Sequence, residues 1–195
     1  MIIYKDFLTG DELFTDIYPM KLVGPNQNFI QLKGKRVTEN SSAGDINIGG
    51  NPSAEEAAET TEETSVSGVD IVLANRLTEV TEYTKEAYQQ DKIKPYIKKL
   101  MKAKDDQIKE LEAEGKKNEK LVEELKLQYT AFKNTFKEDL KSVILTGFKK
   151  KEFQFFLGES LSDEAMLILM TYPEDDPEGR PLMYFVKYGL KEVKV

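Results

Sequence analysis

The stretch from Thr84 to Gly147 constrains this chain more than any other, because its apolar spacing fits long helices and no strand. Thr84 can cap a helix start, its hydroxyl accepting from a free backbone N–H of the first turn. Glu86 follows at the positive end of the helix dipole. Ile93, Ile97, Leu100, Ile108 and Leu111 then recur on one helical face, with Lys104 as the single charged interruption. Pro95 lacks a backbone donor and disfavours helix at Lys94, so a kink is expected there. Glu114-Gly115-Lys116-Lys117-Asn118 has no apolar residue, Gly115 suits the position after a helix end, and Asn118 suits a new N-cap. Leu121, Leu125, Tyr129, Phe132, Phe136, Leu140, Val143 and Ile144 make a second stripe, with Gly147 as its expected stop. Two stripes of about 30 residues around a short turn predict an antiparallel hairpin roughly 45 Å long. The Phe132/Phe136 pair reads as hairpin core rather than a ligand site.

The flanks read as strands. Ile2-Ile3-Tyr4 is a short β run, and Leu13, Phe14, Ile17 and Tyr18 mark a second. Phe29–Leu32 and Arg36–Thr38 flank Gly34 and suggest a hairpin, and Val69–Leu73 suggests a further strand. After the helices, Phe153–Leu157, Met166–Tyr172, Met183–Tyr188 and Glu192–Val195 complete a sheet, the second of these apolar enough to be buried on both faces. The fold class expected is therefore α+β, a mostly antiparallel sheet core interrupted by a helical hairpin. One domain is expected, with residues 1–83 and 148–195 as the β core and 84–147 as the insertion.

Between Val37 and Asn75 there is no Lys or Arg, and Asn40–Ser67 is rich in Ser, Gly, Ala, Thr and Glu. Such a composition buries too little apolar surface to offset its ordering entropy, so 40–67 is expected to be a mobile acidic loop with one apolar spot at Ile46-Asn47-Ile48.

Several function classes are excluded by what the chain lacks. It has no cysteine and no histidine, which removes disulfides, thiolate nucleophiles, His bases and the usual zinc and copper ligand sets. The nearest candidate acid/base pair, Asp11 and Glu12, is adjacent on a strand and so points to opposite faces. No enzyme is expected. The net charge of −7 argues against general nucleic-acid binding, and no apolar run is long enough to span a membrane. The N-terminus has no signal-peptide h-region, so a soluble cytoplasmic monomer is expected.

Two blocks carry a resemblance. Ile48-Gly49-Gly50-Asn51-Pro52-Ser53-Ala54-Glu55 is not a phosphate loop, because no Lys-Ser/Thr follows the glycines. It is similar to the first signature of the translationally controlled tumour protein family. Phe155-Phe156-Leu157-Gly158-Glu159 with Asp163-Glu164-Ala165-Met166 resembles the second. Met1–Asp6, Asp11–Asp16, Gly68–Val72 and Thr84–Tyr88 fit the same pattern in the same order. The hairpin looks longer than the family pattern, by a charged stretch on either side of Glu114-Gly115, and the cysteine many members carry near their C-terminus is missing.

The resemblance implies a β-tent core like that of small-GTPase chaperones, calcium binding, tubulin binding, and partners linked to growth and survival. The alternative it leaves open is a small-GTPase-binding chaperone or regulator with no calcium role. It places a GTPase contact at Asp11 and Glu12. It raises weak calcium binding at Glu55, Glu56 and Asp70 above the reading of a solvated acidic loop; the spacing matches no EF-hand. It also places tubulin binding in the hairpin, where Lys92, Lys94, Lys98, Lys99, Lys102 and Lys104 occur without an intervening acid. The competing reading of those lysines is a solvated face that keeps the hairpin soluble.

Overall fold

The computed structural model describes residues 1–40 and 65–195. The expected mobile loop therefore falls mostly outside the described residues, as do Glu55, Glu56 and the first signature block. Its two edges are ordered as strand: Asn40 ends β5 (Arg36–Asn40), and Ser65–Ser67 belong to β6 (Ser65–Val69).

The architecture is α+β with antiparallel pairing throughout the described ladders. The first two strands are β1 (Ile2–Asp6) and β2 (Glu12–Thr15); with β11 (Leu190–Lys194) they form a three-stranded sheet in the order β11-β1-β2. A six-stranded sheet runs β3 (Met20–Val23), β4 (Phe29–Lys33), β10 (Leu182–Val186), β9 (Ile168–Thr171), β8 (Gln154–Leu157), β7 (Thr78–Val80). Among the described residues, strands β5 and β6 pair only with each other.

Every residue of β9 is buried, as the unbroken apolar run predicts. In β2 the alternation fails, and Leu13 and Phe14 are both buried. The register shift between Tyr4 and Lys5 explains this, because a bulge turns consecutive side chains to one face. Phe14 then stacks on Tyr4 at 4.5 Å and meets Phe185 of the larger sheet at 4.6 Å. Asp6 is buried where β1 ends, its carboxylate accepting from Leu8 N at 2.9 Å and Met166 N at 2.7 Å. Burial pushes its pKa up, against the lowering effect of those backbone donors.

Three strand expectations are corrected. Gly34 does not turn a hairpin: β4 pairs with β3 and β10, while β5 goes to β6. Gly34 N donates to Pro181 O at 2.9 Å and Lys35 N to Asp70 Oδ1 at 2.9 Å, which carries the chain from one sheet to another. Val69–Leu73 is not a strand, because β6 stops at Val69 and α1 (Asp70–Ala74) begins. The Asp70 carboxylate sits at that helix start and accepts from Ile71 N at 2.9 Å. The second strand stops at Thr15, with Ile17 and Tyr18 in a turn.

The hairpin forms as expected, with adjustments. Thr84 caps it, Oγ1 accepting from Ala87 N at 3.2 Å. The first arm is α2 (Lys85–Ala87), a wide π-type segment Tyr88–Ile93, and α3 (Lys94–Ala113). Pro95 stands in the first turn of α3, and the π segment just before it absorbs the missing donor. Gly115, at φ 101, ends the arm in a conformation that favours glycine. Asn118 does not cap the second arm; its Nδ2 reaches back to Leu111 O at 3.3 Å and Glu114 Oε2 at 3.0 Å, closing the tip. The second arm is α4 (Glu119–Asp139), and helical turns continue past Gly147 to Lys149.

Ile93, Tyr96 and Leu100 share one buried core with Phe132, Phe136, Leu140 and Ile144; Ile108 is buried outside that core, and Leu121 is exposed while Val122 takes its place. Phe136 stacks on Phe29 at 5.5 Å, and Phe132 on Tyr188 at 4.5 Å, so the hairpin base is seated on the sheet.

Candidate functional site

The lysines of α3 divide into two groups. Lys94, Lys98 and Lys102 are four apart and exposed, and Lys99 beside them is exposed too. Tyr96 and Leu100 on the buried side fix this rotation, since they leave the lysine face outward. Lys99 approaches Glu164 at 3.7 Å, a surface pair of little energetic consequence. Lys92 is half-buried, with its ammonium 5.1 Å from the centre of the Tyr83 ring.

Lys104 departs from the predicted set. Its ammonium lies 3.9 Å from the centre of Phe7 and 4.6 Å from that of Tyr188, on the side of the helix facing the sheet. It is half-buried, and burial brings its pKa down to about 8. The rings offset part of that cost through cation–π attraction. Lys104 is thus not part of the exposed lysine face; its place in the stripe at Leu100, Ile108 and Leu111 already hinted at an inward position.

This burial has a measurable consequence. Below about pH 8 the folded and unfolded chains both carry the Lys104 charge, and its burial cost is fully present. As pH rises from about 8 towards 10.5 the folded form loses the proton first, so the unfolded state binds more protons and stability rises. Lys104→Met removes that rise. In urea unfolding, the stability of wild type relative to the variant is expected to climb across this window by up to about 1 kcal/mol after solvent screening. A flat difference would contradict the burial of the charge.

The two acids at the start of β2 go different ways. Asp11 Oδ2 accepts from Ser160 Oγ at 2.6 Å and Ser160 N at 3.3 Å, which ties the start of β2 to the segment after β8. The same carboxylate fills the space a Cβ at Gly158 would need, at 2.6 Å. Glu12 is exposed, opposite Lys5 in the bulged register and 3.3 Å from its ammonium. The structure does not bring them together as a pair. Asp70 is engaged with backbone N–H groups of Lys35 and Ile71. Among the described residues no group of three acids is placed to hold a metal ion.

One residue escaped sequence reasoning. Asp139 is fully buried at the end of α4. Its carboxylate accepts from Asn26 N at 3.0 Å, Asn26 Nδ2 at 2.9 Å and Asn28 N at 2.8 Å. Gly24, at φ 101, brings the turn so close that a Cβ there would lie 2.8 Å from Asp139 Oδ2. The signal was present: Asp139 falls on the apolar stripe, three residues after Phe136 and beside Leu140. An acid on a buried face needs donors, and the Gly24–Asn28 turn supplies them.

No helix among the described residues is long and apolar enough to cross a membrane. The family model described as translationally controlled tumour protein matches residues 1–191. The translationally-controlled tumor protein homolog of Bombyx mori is 38% identical over 195 residues, covering 100% of this chain and 99% of the relative. That of Branchiostoma belcheri is 40% identical over 194 residues, covering 100% and 99%. The solved structure of the translationally controlled tumor-associated protein of Schizosaccharomyces pombe matches with a TM-score of 0.55 and 32% identity, covering 100% of both chains. The Caenorhabditis elegans translationally-controlled tumor protein, solved by NMR, gives 0.51 and 29%, covering 100% of this chain and 99% of that one. With a whole-chain family match, full-length relatives and a shared hairpin-on-sheet fold, the chain belongs to the translationally controlled tumour protein family.

Proposed function

We propose that this is a cytoplasmic, non-catalytic interaction protein that binds microtubules through the outer face of α3. One observation carries the reading: Lys94, Lys98, Lys99 and Lys102 stand exposed on one rigid helix of a chain whose net charge is −7. Like charges four apart destabilise a helix by a few tenths of a kcal/mol, so the face gains nothing by itself. An acidic surface such as tubulin's gains complementarity and faster encounter from it. Exposed charges are screened beyond about 8 Å at physiological ionic strength, so binding weakens steeply with salt.

The test is microtubule co-sedimentation of Lys98→Glu/Lys99→Glu/Lys102→Glu beside wild type at low and physiological salt. The variant is expected to lose about tenfold or more in affinity, as three reversed charges at roughly 0.5 kcal/mol or more each imply. Equal pelleting, with helix content unchanged by circular dichroism, means that the face is only solvated surface.

A second partner is favoured at Glu12. Asp11 is spent on Ser160, whereas the exposed Glu12 makes only a surface pair with Lys5 that a basic group on a small GTPase can displace. Glu12→Val is expected to weaken capture of a nucleotide-free GTPase without lowering stability. Weak calcium binding through Glu55, Glu56 and Asp70 belongs to the same proposal and rests on the family resemblance, since the spacing of these oxygen ligands matches no EF-hand.

A further inference from the structure

We propose that the cavity between α3, α4 and the Asn26–Asn28 turn is a binding site for a phosphate monoester. The cavity is about 310 Å³ and is lined by Lys104, Lys187, Gln128, Gln27 and Asn28, with the Tyr188 ring as an apolar wall. Among the described residues no acid lines it, although the chain as a whole is acidic. Lys104 has no carboxylate within salt-bridge distance among the described residues. The buried acid behind the turn, Asp139, has one oxygen taken by Asn26 and the other by Asn28. Among the described residues the other titratable groups lining the cavity are Lys187 and the Tyr188 hydroxyl, which supply no negative charge at neutral pH.

An ammonium half-buried between aromatic rings is destabilised by lost hydration unless a counter-charge reaches it. Phe7 and Tyr188 supply only part of that compensation. Lys187, being exposed, brings a second ammonium from the outer rim. The Gln27 and Gln128 side-chain amides add neutral donors at the same wall, the Asn28 amide being engaged with Thr135. Several donors of this kind suit the three terminal oxygens of a phosphate monoester better than the two of a carboxylate. At about 310 Å³ the space lies at the small end of ligand pockets, so it takes the phosphate and its first few atoms. The phosphate comes either from a free small molecule or from a phosphorylated side chain of a partner. The site is independent of the lysine face, because Lys104 points the other way.

The experiment uses the full chain with ¹³C-labelled lysine. O-phosphoserine and, separately, a short peptide containing phosphoserine are titrated at pH 8, and the Lys104 Cε resonance is followed by NMR. Both probes are expected to move that resonance towards the protonated form, since a bound anion favours the ammonium. Lys104→Met and Lys187→Met are each expected to weaken binding about tenfold or more, in line with the loss of one charge-assisted contact. Lys98→Met leaves binding unchanged. Lys187 is exposed, so its variant keeps the test valid should Lys104→Met fold poorly. A peptide binding about tenfold tighter than the amino acid assigns the source to a protein partner; equal affinities assign it to a small molecule. Serine or the unphosphorylated peptide binding as well as the phosphorylated probe overturns the proposal. So does an unmoved Lys104 resonance, or an equal loss in Lys98→Met.

Discussion

Asp139→Ala is expected to lower stability by about 3–5 kcal/mol, because the Asn26 and Asn28 backbone N–H groups and the Asn26 side chain lose their shared acceptor in a dry site. The alanine also leaves a gap under Gly24. Asp139→Asn keeps one acceptor oxygen and is expected to cost less than the alanine. Urea unfolding reads both, and amide exchange at Asn26 and Asn28 should accelerate ahead of the hairpin in the alanine variant. A cost under about 1 kcal/mol would show that water replaces the carboxylate readily, and the turn would then be held by other means.

Phe155→Ala is expected to cost a comparable 3–5 kcal/mol, in the usual range for deleting a buried phenyl ring. Phe155 is 1% exposed and lies in β8, yet its aromatic neighbours sit at the base of the hairpin: Tyr88 in its first arm at 6.0 Å, Phe148 in the turns that follow its second arm at 6.3 Å, and Tyr83 just before its cap, edge-on at 5.2 Å. The ring therefore joins the two parts of the fold. Loss of stability should come with loosening of the hairpin base, seen as faster exchange in the π segment Tyr88–Ile93 before exchange rises in β9. Uniform acceleration throughout would mean that the base and the sheet open as one unit.

What was legible in the sequence was what is decided locally. The 3-4 spacing from Ile93 to Ile144 gave both helical arms, Thr84 gave the cap, and Gly115 gave the turn, because each depends on residues within a few positions. The run in β9 gave a strand buried on both faces. What was not legible depends on remote contacts. The passage at Gly34 is set by Pro181 and Asp70, and the bulge in β2 by its register against β1. Strand propensity alone could not show that Asp70 would start a helix. At the candidate site the lysine run was visible, but Lys104 was grouped with it because charge pattern says nothing of what lies beneath a helix. Phe7 and Tyr188, far apart in sequence, decide its environment. Asp139 is the same case at a separation of 113 residues from Asn26.

The placing of β1 between β2 and β11 sets an order of events at the ribosome. Ile2 pairs with Lys194, so β1 waits for a partner strand made about 190 residues later. At about 5–20 residues per second that wait lasts roughly 10–40 s. During it β1 offers one unpaired edge to any passing strand. Closing the small sheet is thus a late step with a large loop-closure cost, in contrast to the hairpin, whose contacts are local enough to form soon after its residues emerge. Chaperone capture of nascent chains should therefore fall off only once the residues of β11 have left the exit tunnel.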